Sequence, residues 1–147
     1  MLGFEKSEIL EKNKKLSENN AGLGRIIRLE KEMELTDLIS RVKDNININT
    51  LKIVHGNNKV KNIAVINGSG QSFFSQALKR GADCIITGDT TYHFALDYKE
   101  MGISIIDTGH FSSEWLVFLK TMDKIKNEFK DIEFISSVNV EDPYEFI

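Results

Sequence analysis

Two pairs of side chains in the sequence have the types and the spacing of metal ligands. Asp89 and His93 stand four residues apart in TGDTTYH, and His110 and Glu114 stand four residues apart in GHFSSE. Residues at this spacing lie on one face of a helix. Imidazole nitrogen and carboxylate oxygen are ligands that suit Zn, Fe or Mn. The two pairs therefore predict a divalent-metal site, provided that the fold brings both segments to the same place.

The same residues also have an explanation that needs no metal. Asp89 is a suitable N-cap residue, and Glu114 near the start of a helix complements the helix dipole. His93 can be a partly buried residue that bonds a backbone carbonyl. Short motifs often match by chance, so the spacing alone leaves the structural and the metal-binding explanations open.

A third candidate is the glycine-containing loop NGSGQS. Gly68, Ser69 and Gly70 follow an apolar run and precede a helical pattern, and backbone amides in such a loop can bind a phosphate. The loop lacks the full G-x-G-x-x-G pattern and the P-loop lysine. A tight strand-to-helix turn is the alternative explanation. We interpret His55 and Cys84 as structural residues.

Three successive strand–loop–helix units are predicted to position these candidates. The apolar runs that end in NGSG, TGD and DTGH are predicted strands, and a helical pattern follows each loop. Gly81 and Gly102 are predicted to end the first two helices. Strands joined by helical crossovers are expected to be parallel, with their carboxyl ends along one rim where ligands bind. The sequence thus predicts an α/β fold with its site at the carboxyl ends of the strands.

Further elements are predicted outside these units. Helical spacing predicts a helix that starts near Thr36 and Asp37, on the apolar positions Leu35, Leu38, Ile39, Val42 and Ile46. LKIVHG (51–56) and IEFISSVNV (132–140) are predicted strands. The last helix is predicted to carry an apolar stripe of Trp115, Leu119, Met122, Ile125 and Phe129. Residues 1–20 are expected to form a short helix or a loose lead-in to a single domain of residues 1–147.

The composition argues against several classes of protein. The chain has 147 residues and a net charge of −3 with interleaved charges, so no nucleic-acid-binding face is expected. No apolar run approaches the roughly 20 residues of a membrane helix, and the N-terminus has no signal-peptide core. Cys84 is the only cysteine, which suits a reducing compartment. These features predict a cytoplasmic protein that binds neither nucleic acid nor membrane.

Four segments, taken in order, resemble the C-terminal half of the Nif-three-like proteins, also named the GTP cyclohydrolase I type 2 family. They are GLGRI (22–26), INGSG (66–70), GADCIITGDTTYH (81–93) and IDTGHFSSE (106–114), and the resemblance covers roughly residues 20–130. The resemblance implies a cytoplasmic α/β protein that assembles into a toroidal homohexamer. It also implies a metal-dependent hydrolase in which paired divalent metals, here expected to be Zn, Fe or Mn, face an internal cavity.

The resemblance also implies roles for the candidate residues. His110 and Glu114 match metal ligands of the family, and Asp89 and His93 match an element that borders the site, behind the ligands or on the substrate side. The other ligands of the family, a consecutive His-His pair and an Asp, lie in an N-terminal half, and this sequence has no His-His pair. We therefore predict that the metal site of this chain alone is incomplete and that an intact pair of metals needs ligands from a second chain, for which an N-terminal companion fragment is one candidate. The alternative prediction is a non-catalytic oligomeric assembly or interaction module.

Overall fold

A single mixed sheet forms the framework of the computed structural model, which describes residues 2–13 and 21–145. Within these residues the sheet has six strands in the order β1-β2-β4-β5-β6-β3. The strands are β1 (Glu8–Lys12), β2 (Gly22–Glu34), β3 (Lys52–Val54), β4 (Lys59–Ile66), β5 (Cys84–Thr87) and β6 (Ser104–Asp107).

The centre of the sheet consists of the parallel strands β4, β5 and β6. In the register of the sheet Ile63 is beside Cys84, and Ile85 is beside Ile105. All four residues of β5 and all four of β6 are buried, as is typical of parallel strands covered on both faces. The predicted α/β fold with parallel strands and a common carboxyl rim is confirmed.

Antiparallel strands complete both sides of the sheet. β2 pairs with β4, β1 pairs with β2, and β3 pairs with β6. The prediction of a helix or loose lead-in for residues 1–20 is wrong for Glu8–Lys12, where β1 pairs with β2 and buries Leu10 to 3% exposure. The same prediction includes residues 1 and 14–20, which lie outside the described residues.

Four α-helices connect and cover the strands in the described part of the chain. They are α1 (Leu35–Ile46), α2 (Phe74–Lys79), α3 (Tyr92–Glu100) and α4 (Val117–Glu128). A 3-10 turn (Gln71–Phe73) precedes α2, and a π-helical turn (Ser112–Leu116) precedes α4. Gly81 and Gly102, with φ of +78° and +76°, follow α2 and α3 as predicted. Left-handed backbone of this kind favours glycine, because other residues are strained there.

α1 packs its apolar face against one side of the sheet, and α2 and α3 pack theirs against the other side. On one side α1 contributes Leu35, Leu38, Val42 and Ile46 to a cluster with β4, β5 and β6 residues, as the helical spacing predicts. On the other side Phe74 of α2 and Tyr98 of α3 pack together with ring centroids 5.2 Å apart. Cys84 belongs to the first cluster, and burial raises the pKa of its thiol. This agrees with its interpretation as a structural residue.

Two features of the C-terminal region differ from the sequence prediction. Residues 132–140 form no strand, and Ile135 and Val138 are 85% and 92% exposed. α4 contains no buried residue, so its predicted apolar stripe does not enter the core. Among the described residues, no helix combines the length and the apolar character needed to cross a membrane.

Candidate metal centre

His110 and Glu114 come together where the chain leaves the carboxyl end of β6. Gly109 turns the chain with φ of +82°, and the residues that follow include the π-helical turn Ser112–Leu116, which contains Glu114. Nε2 of His110 lies 3.3 Å from Oε2 of Glu114, and both side chains are 56% exposed. A nitrogen donor and an oxygen donor are therefore adjacent and accessible from solvent, as their spacing predicts.

The carboxylate of Asp107 holds the turn that precedes His110. It accepts hydrogen bonds from the backbone N–H of Gly109 (3.0 Å) and of Thr90 (2.8 Å). The Lys52 ammonium lies 2.8 Å from the same side chain, which is only 2% exposed. Asp107 thus joins the end of β6 to the loop after β5 and to β3. The sequence placed Asp107 at the rim, but it gave no sign of this joining role.

Ser113 connects the glycine-containing loop to the segment that carries the candidate ligands. Its hydroxyl accepts a hydrogen bond from the N–H of Gly68 (3.2 Å) and donates one to the carbonyl oxygen of His110 (2.9 Å). The side-chain amide of Asn67 donates to the Ser113 carbonyl (3.0 Å). Sequence reasoning missed Ser113, since a serine beside Glu114 signals nothing until the NGSG loop is known to lie against it.

Gly68 provides the space that the Glu114 carboxylate occupies. A Cβ at position 68 would lie 2.4 Å from Oε1 of Glu114 and 3.5 Å from Cε1 of His110, and its φ is +62°. Its carbonyl accepts hydrogen bonds from the Thr87 hydroxyl (3.1 Å) and from the Gly88 N–H (2.9 Å). The first strand–loop–helix unit therefore meets the second and the third at this glycine.

His110 and Glu114 face an open groove with a volume of about 500 Å³. Its walls come from three segments that are distant in the sequence: the start of β2, the end of β4 with its glycine-containing loop, and the turn after β6. The lining residues are Gly22, Leu23, Gly24, Arg25, Val65, Ile66, Asn67, Ser69, Gly70, Ser72, Phe73, His110 and Glu114. This volume falls within the range of about 300–1,000 Å³ that is typical of small-molecule sites.

Asp89 and His93 are arranged differently from the other pair. α3 begins at Tyr92, so the prediction that Asp89 and His93 share a helical turn is wrong. The N-cap position belongs to Thr91, which makes no side-chain cap bond, so the N-cap explanation for Asp89 is also wrong. The His93 ring packs edge-on against the ring of Tyr92 at 5.6 Å. No hydrogen bond or ion pair within residues 2–13 and 21–145 joins Asp89 or His93 to His110, and their role at the site stays a prediction.

His110 and Glu114 offer the types of donor atom that a borderline divalent ion binds. One imidazole and one carboxylate suit Zn, Fe or Mn. Over the described ranges, no group of three or more His, Cys, Asp or Glu side chains is placed to hold a metal ion. Protein sites for zinc usually have about three or four protein ligands. The pair is thus part of a possible ligand set for such an ion.

Comparison with known proteins identifies the family. Residues 1–143 match the family described as Duf34/NIF3 (NGG1p interacting factor 3). A GTP cyclohydrolase 1 type 2 homolog of Clostridium perfringens is 50% identical over 149 residues, which cover 100% of this chain and 56% of that protein. A protein of the same name from Clostridium acetobutylicum is 45% identical over 99% of this chain and 56% of its own length. The chain therefore belongs to the Duf34/NIF3 family, which confirms the resemblance inferred from its motifs.

Solved structures support the same assignment. The crystal structure of a hypothetical protein from Staphylococcus aureus aligns with a TM-score of 0.83 at 25% identity, over 99% of this chain and 61% of that chain. A Bacillus cereus protein related to NIF3 aligns with a TM-score of 0.67 at 31% identity, over 86% of this chain and 36% of that one. The chain thus spans little more than half the length of the curated relatives described above.

Proposed function

We propose that this chain supplies His110 and Glu114 as ligands of a divalent metal centre in a metal-dependent hydrolase of the kind its relatives are named for. The observation that carries the proposal is the 3.3 Å separation of the imidazole Nε2 and the carboxylate Oε2. The space that Gly68 leaves for that carboxylate supports it, because the neighbouring loop accommodates Glu114 closely. The family membership of the chain agrees with the proposal.

The residues of this chain act by holding two donor atoms in place. The Ser113 hydroxyl fixes the backbone of His110, and Asp107 fixes the turn before it. A bound Zn, Fe or Mn ion would supply a water of lowered pKa and would polarise the bond under attack. Asp89 and His93 remain our candidates for holding or moving a proton on the substrate side.

The complete centre is proposed to need ligands from a second polypeptide. Two protein donors are fewer than a tight site generally uses, and the chain covers 56% of the Clostridium perfringens relative. A companion chain that corresponds to the rest of that relative is the proposed source. A toroidal homohexamer, a pair of metal ions and a cytoplasmic location are part of this proposal.

Metal binding by the purified chain tests the proposal. Titration calorimetry with Zn²⁺ and Mn²⁺ is expected to show binding that is weak alone and tighter after addition of the companion polypeptide. Loss of a residue that hydrogen-bonds a metal ligand weakens metal binding about 10–100-fold. His110→Ala removes a proposed ligand itself, so we expect it to weaken metal binding by more than that. His55→Ala is the matched control, because His55 is exposed after β3 and is not among the groove residues.

Two results would contradict the metal-binding proposal. One is the absence of Zn, Fe and Mn by elemental analysis, both in the chain alone and in its mixture with the companion polypeptide. The other is an equal change of metal affinity in the control His55→Ala and in His110→Ala. This result would mean that His110 has no specific role in metal binding.

A second candidate function is a non-catalytic assembly or interaction module, and the exposed apolar surface of the C-terminal region favours it. Phe118 and Phe129 are 51% and 53% exposed, and Ile135 and Val138 are exposed still further. Exposed apolar surface of this kind is typical of an interface. This function predicts an oligomer whose mass, measured by light scattering, is the same for His110→Ala and for the wild type. A strictly monomeric wild type would exclude it.

A further inference from the structure

The groove that contains His110 and Glu114 also contains a cation that the proposed metal chemistry does not use. Arg25 lies near the start of β2, on the wall formed by Gly22, Leu23 and Gly24. It is partly buried, and its Nη1 donates hydrogen bonds to the carbonyl oxygens of Gly22 (3.2 Å) and Gly24 (2.8 Å). The guanidinium is therefore held at a defined place before any ligand arrives.

The two glycines make this arrangement possible because β1 lies very close to them. A Cβ at Gly22 would lie 2.2 Å from the carbonyl oxygen of Glu11. At Gly24, where φ is +61°, a Cβ would lie 3.0 Å from Cδ2 of Leu10. The bonds from Nη1 use the hydrogens of that nitrogen, and the N–H groups of Nε and Nη2 have no acceptor in the described part of the chain. These donors remain available to a ligand.

The charge of Arg25 is not balanced by a neighbouring carboxylate. Arg28 and Arg80 both pair with Glu8, at 3.5 Å and 2.5 Å. No Asp or Glu oxygen among residues 2–13 and 21–145 lies within 4.0 Å of the Arg25 guanidinium. A partly buried cation without a counter-ion is unfavourable, so the groove has a position where an anion would be stabilised.

Further hydrogen-bond donors line the same groove. Ser69 and Ser72 belong to its lining, with the backbone of Gly70 between them. A guanidinium suits the planar, two-point recognition of phosphate oxygens, and hydroxyl groups can donate to the remaining oxygens. A phosphate group has more acceptor oxygens than a carboxylate, so it can accept hydrogen bonds from more of the donors in this lining.

We propose that Arg25 binds the phosphate group of a small-molecule substrate whose reacting end reaches His110 and Glu114. The position of the reacting end rests on the proposed metal function, whereas the anion site rests on Arg25 and the groove. The groove volume of about 500 Å³ leaves room for a molecule larger than phosphate itself. This assignment gives a function to the GLGRI segment, and it uses Ser69 and Gly70 of the predicted phosphate-binding loop.

Titration of the folded chain with inorganic phosphate and with pyrophosphate tests the anion site, and acetate serves as the carboxylate comparison. Each is titrated into metal-free and into Mn²⁺-loaded protein. We expect Arg25→Ala to weaken phosphate binding about 10–100-fold, because a hydrogen bond to a charged group contributes that much. Arg25→Lys is expected to recover part of the loss. Arg28→Ala, on the same strand but outside the groove lining, is the matched control.

Three outcomes would overturn the assignment. Unchanged phosphate binding in Arg25→Ala, with the thermal melting of the variant unaltered, would remove Arg25 from the site. Phosphate binding that requires metal and disappears in His110→Ala would place the anion on the metal ion. Equal binding of acetate and phosphate would overturn the phosphate class. Metal titration of Arg25→Ala separates the two proposals, since we expect its metal affinity to be unchanged even if phosphate binding is lost.

Discussion

At the scale of single residues, Gly68 decides how closely the glycine-containing loop approaches Glu114. The loop is anchored by the Gly68 N–H on Ser113 and by the Gly68 carbonyl on Thr87. With both backbone groups fixed, the loop cannot easily retreat from an added side chain. Any substituent at position 68 therefore acts on the carboxylate of Glu114.

We predict that Gly68→Ala lowers both the stability and the metal affinity of the chain. The left-handed backbone costs about 1–2 kcal/mol for a residue with a Cβ, and the new methyl group would displace the Glu114 carboxylate. Gly81→Ala is the control, because Gly81 has φ of +78° and an added Cβ there meets no atom within 4 Å. Urea denaturation should show similar losses for both variants, whereas metal titration should show a loss for Gly68→Ala alone. Equal metal affinities would mean that the position of the Glu114 carboxylate against Gly68 does not matter for metal binding.

The residue scale also shows how far the sequence could predict the site. His110 and Glu114 could be predicted, because their contact depends on helical spacing within one short segment. Asp107 and Ser113 act through partners on other segments, and nothing local signals those partners. Asp89 and His93 have the same spacing as the other pair, but Asp89 precedes the helix. Spacing therefore predicts contact only when both residues lie within the helix.

At the scale of elements, Asp107 is the junction between three parts of the sheet. β6 ends at this residue, β3 is joined to it by Lys52, and the loop after β5 is joined to it by the Thr90 N–H. A buried carboxylate with several donors supports the structure strongly, since its removal leaves those donors unsatisfied. The turn that presents His110 depends on this junction.

We predict that Asp107→Ala destabilises the chain by about 3 kcal/mol, the cost of breaking a buried charged network. Lys52→Ala is expected to cost less than about 1 kcal/mol, because Lys52 is 64% exposed and the backbone N–H groups still bind the carboxylate. Chemical denaturation curves of the two variants provide the measurement. A loss for Lys52→Ala as large as that for Asp107→Ala would show that the ion pair, rather than the backbone bonds, holds the turn.

The strands and helices could be predicted from the sequence where their burial requires a regular pattern of apolar residues. The parallel strands β4, β5 and β6 are apolar runs, and α1 has four buried positions at helical spacing. β2 was missed because its C-terminal half is charged and exposed, which leaves Ile26 and Ile27 as a short apolar signal in a long strand. The strand predicted at residues 132–140 was wrong because an apolar, β-branched composition describes a suitable strand but does not supply a neighbour to pair with.

At the scale of the whole molecule, apolar surface is unevenly distributed. The two clusters on either side of the sheet are well buried, whereas α4 buries no residue. Trp115 and Phe118 stack with ring centroids 6.0 Å apart at the start of this helix. Under the assembly-module function proposed above, this exposed apolar surface is the one that we expect a partner to cover.

We predict that Phe118→Glu reduces the proposed oligomer to smaller species, because a carboxylate replaces an exposed aromatic ring at the proposed interface. Asn127→Glu is the control with the same change of charge, and it lies on the opposite face of α4 by helical geometry. Light scattering at several protein concentrations provides the measurement. Identical masses for the wild type and both variants would remove Phe118 from the interface.

The π-helical turn at Ser112–Leu116 puts one proposed metal ligand and the exposed helix α4 on a single continuous stretch of backbone. Glu114 lies in this wide turn, and α4 continues from it without a break. Because they share this backbone, we expect a partner that contacts α4 to change the position of Glu114, and an ion bound by Glu114 to stabilise the first turn of α4.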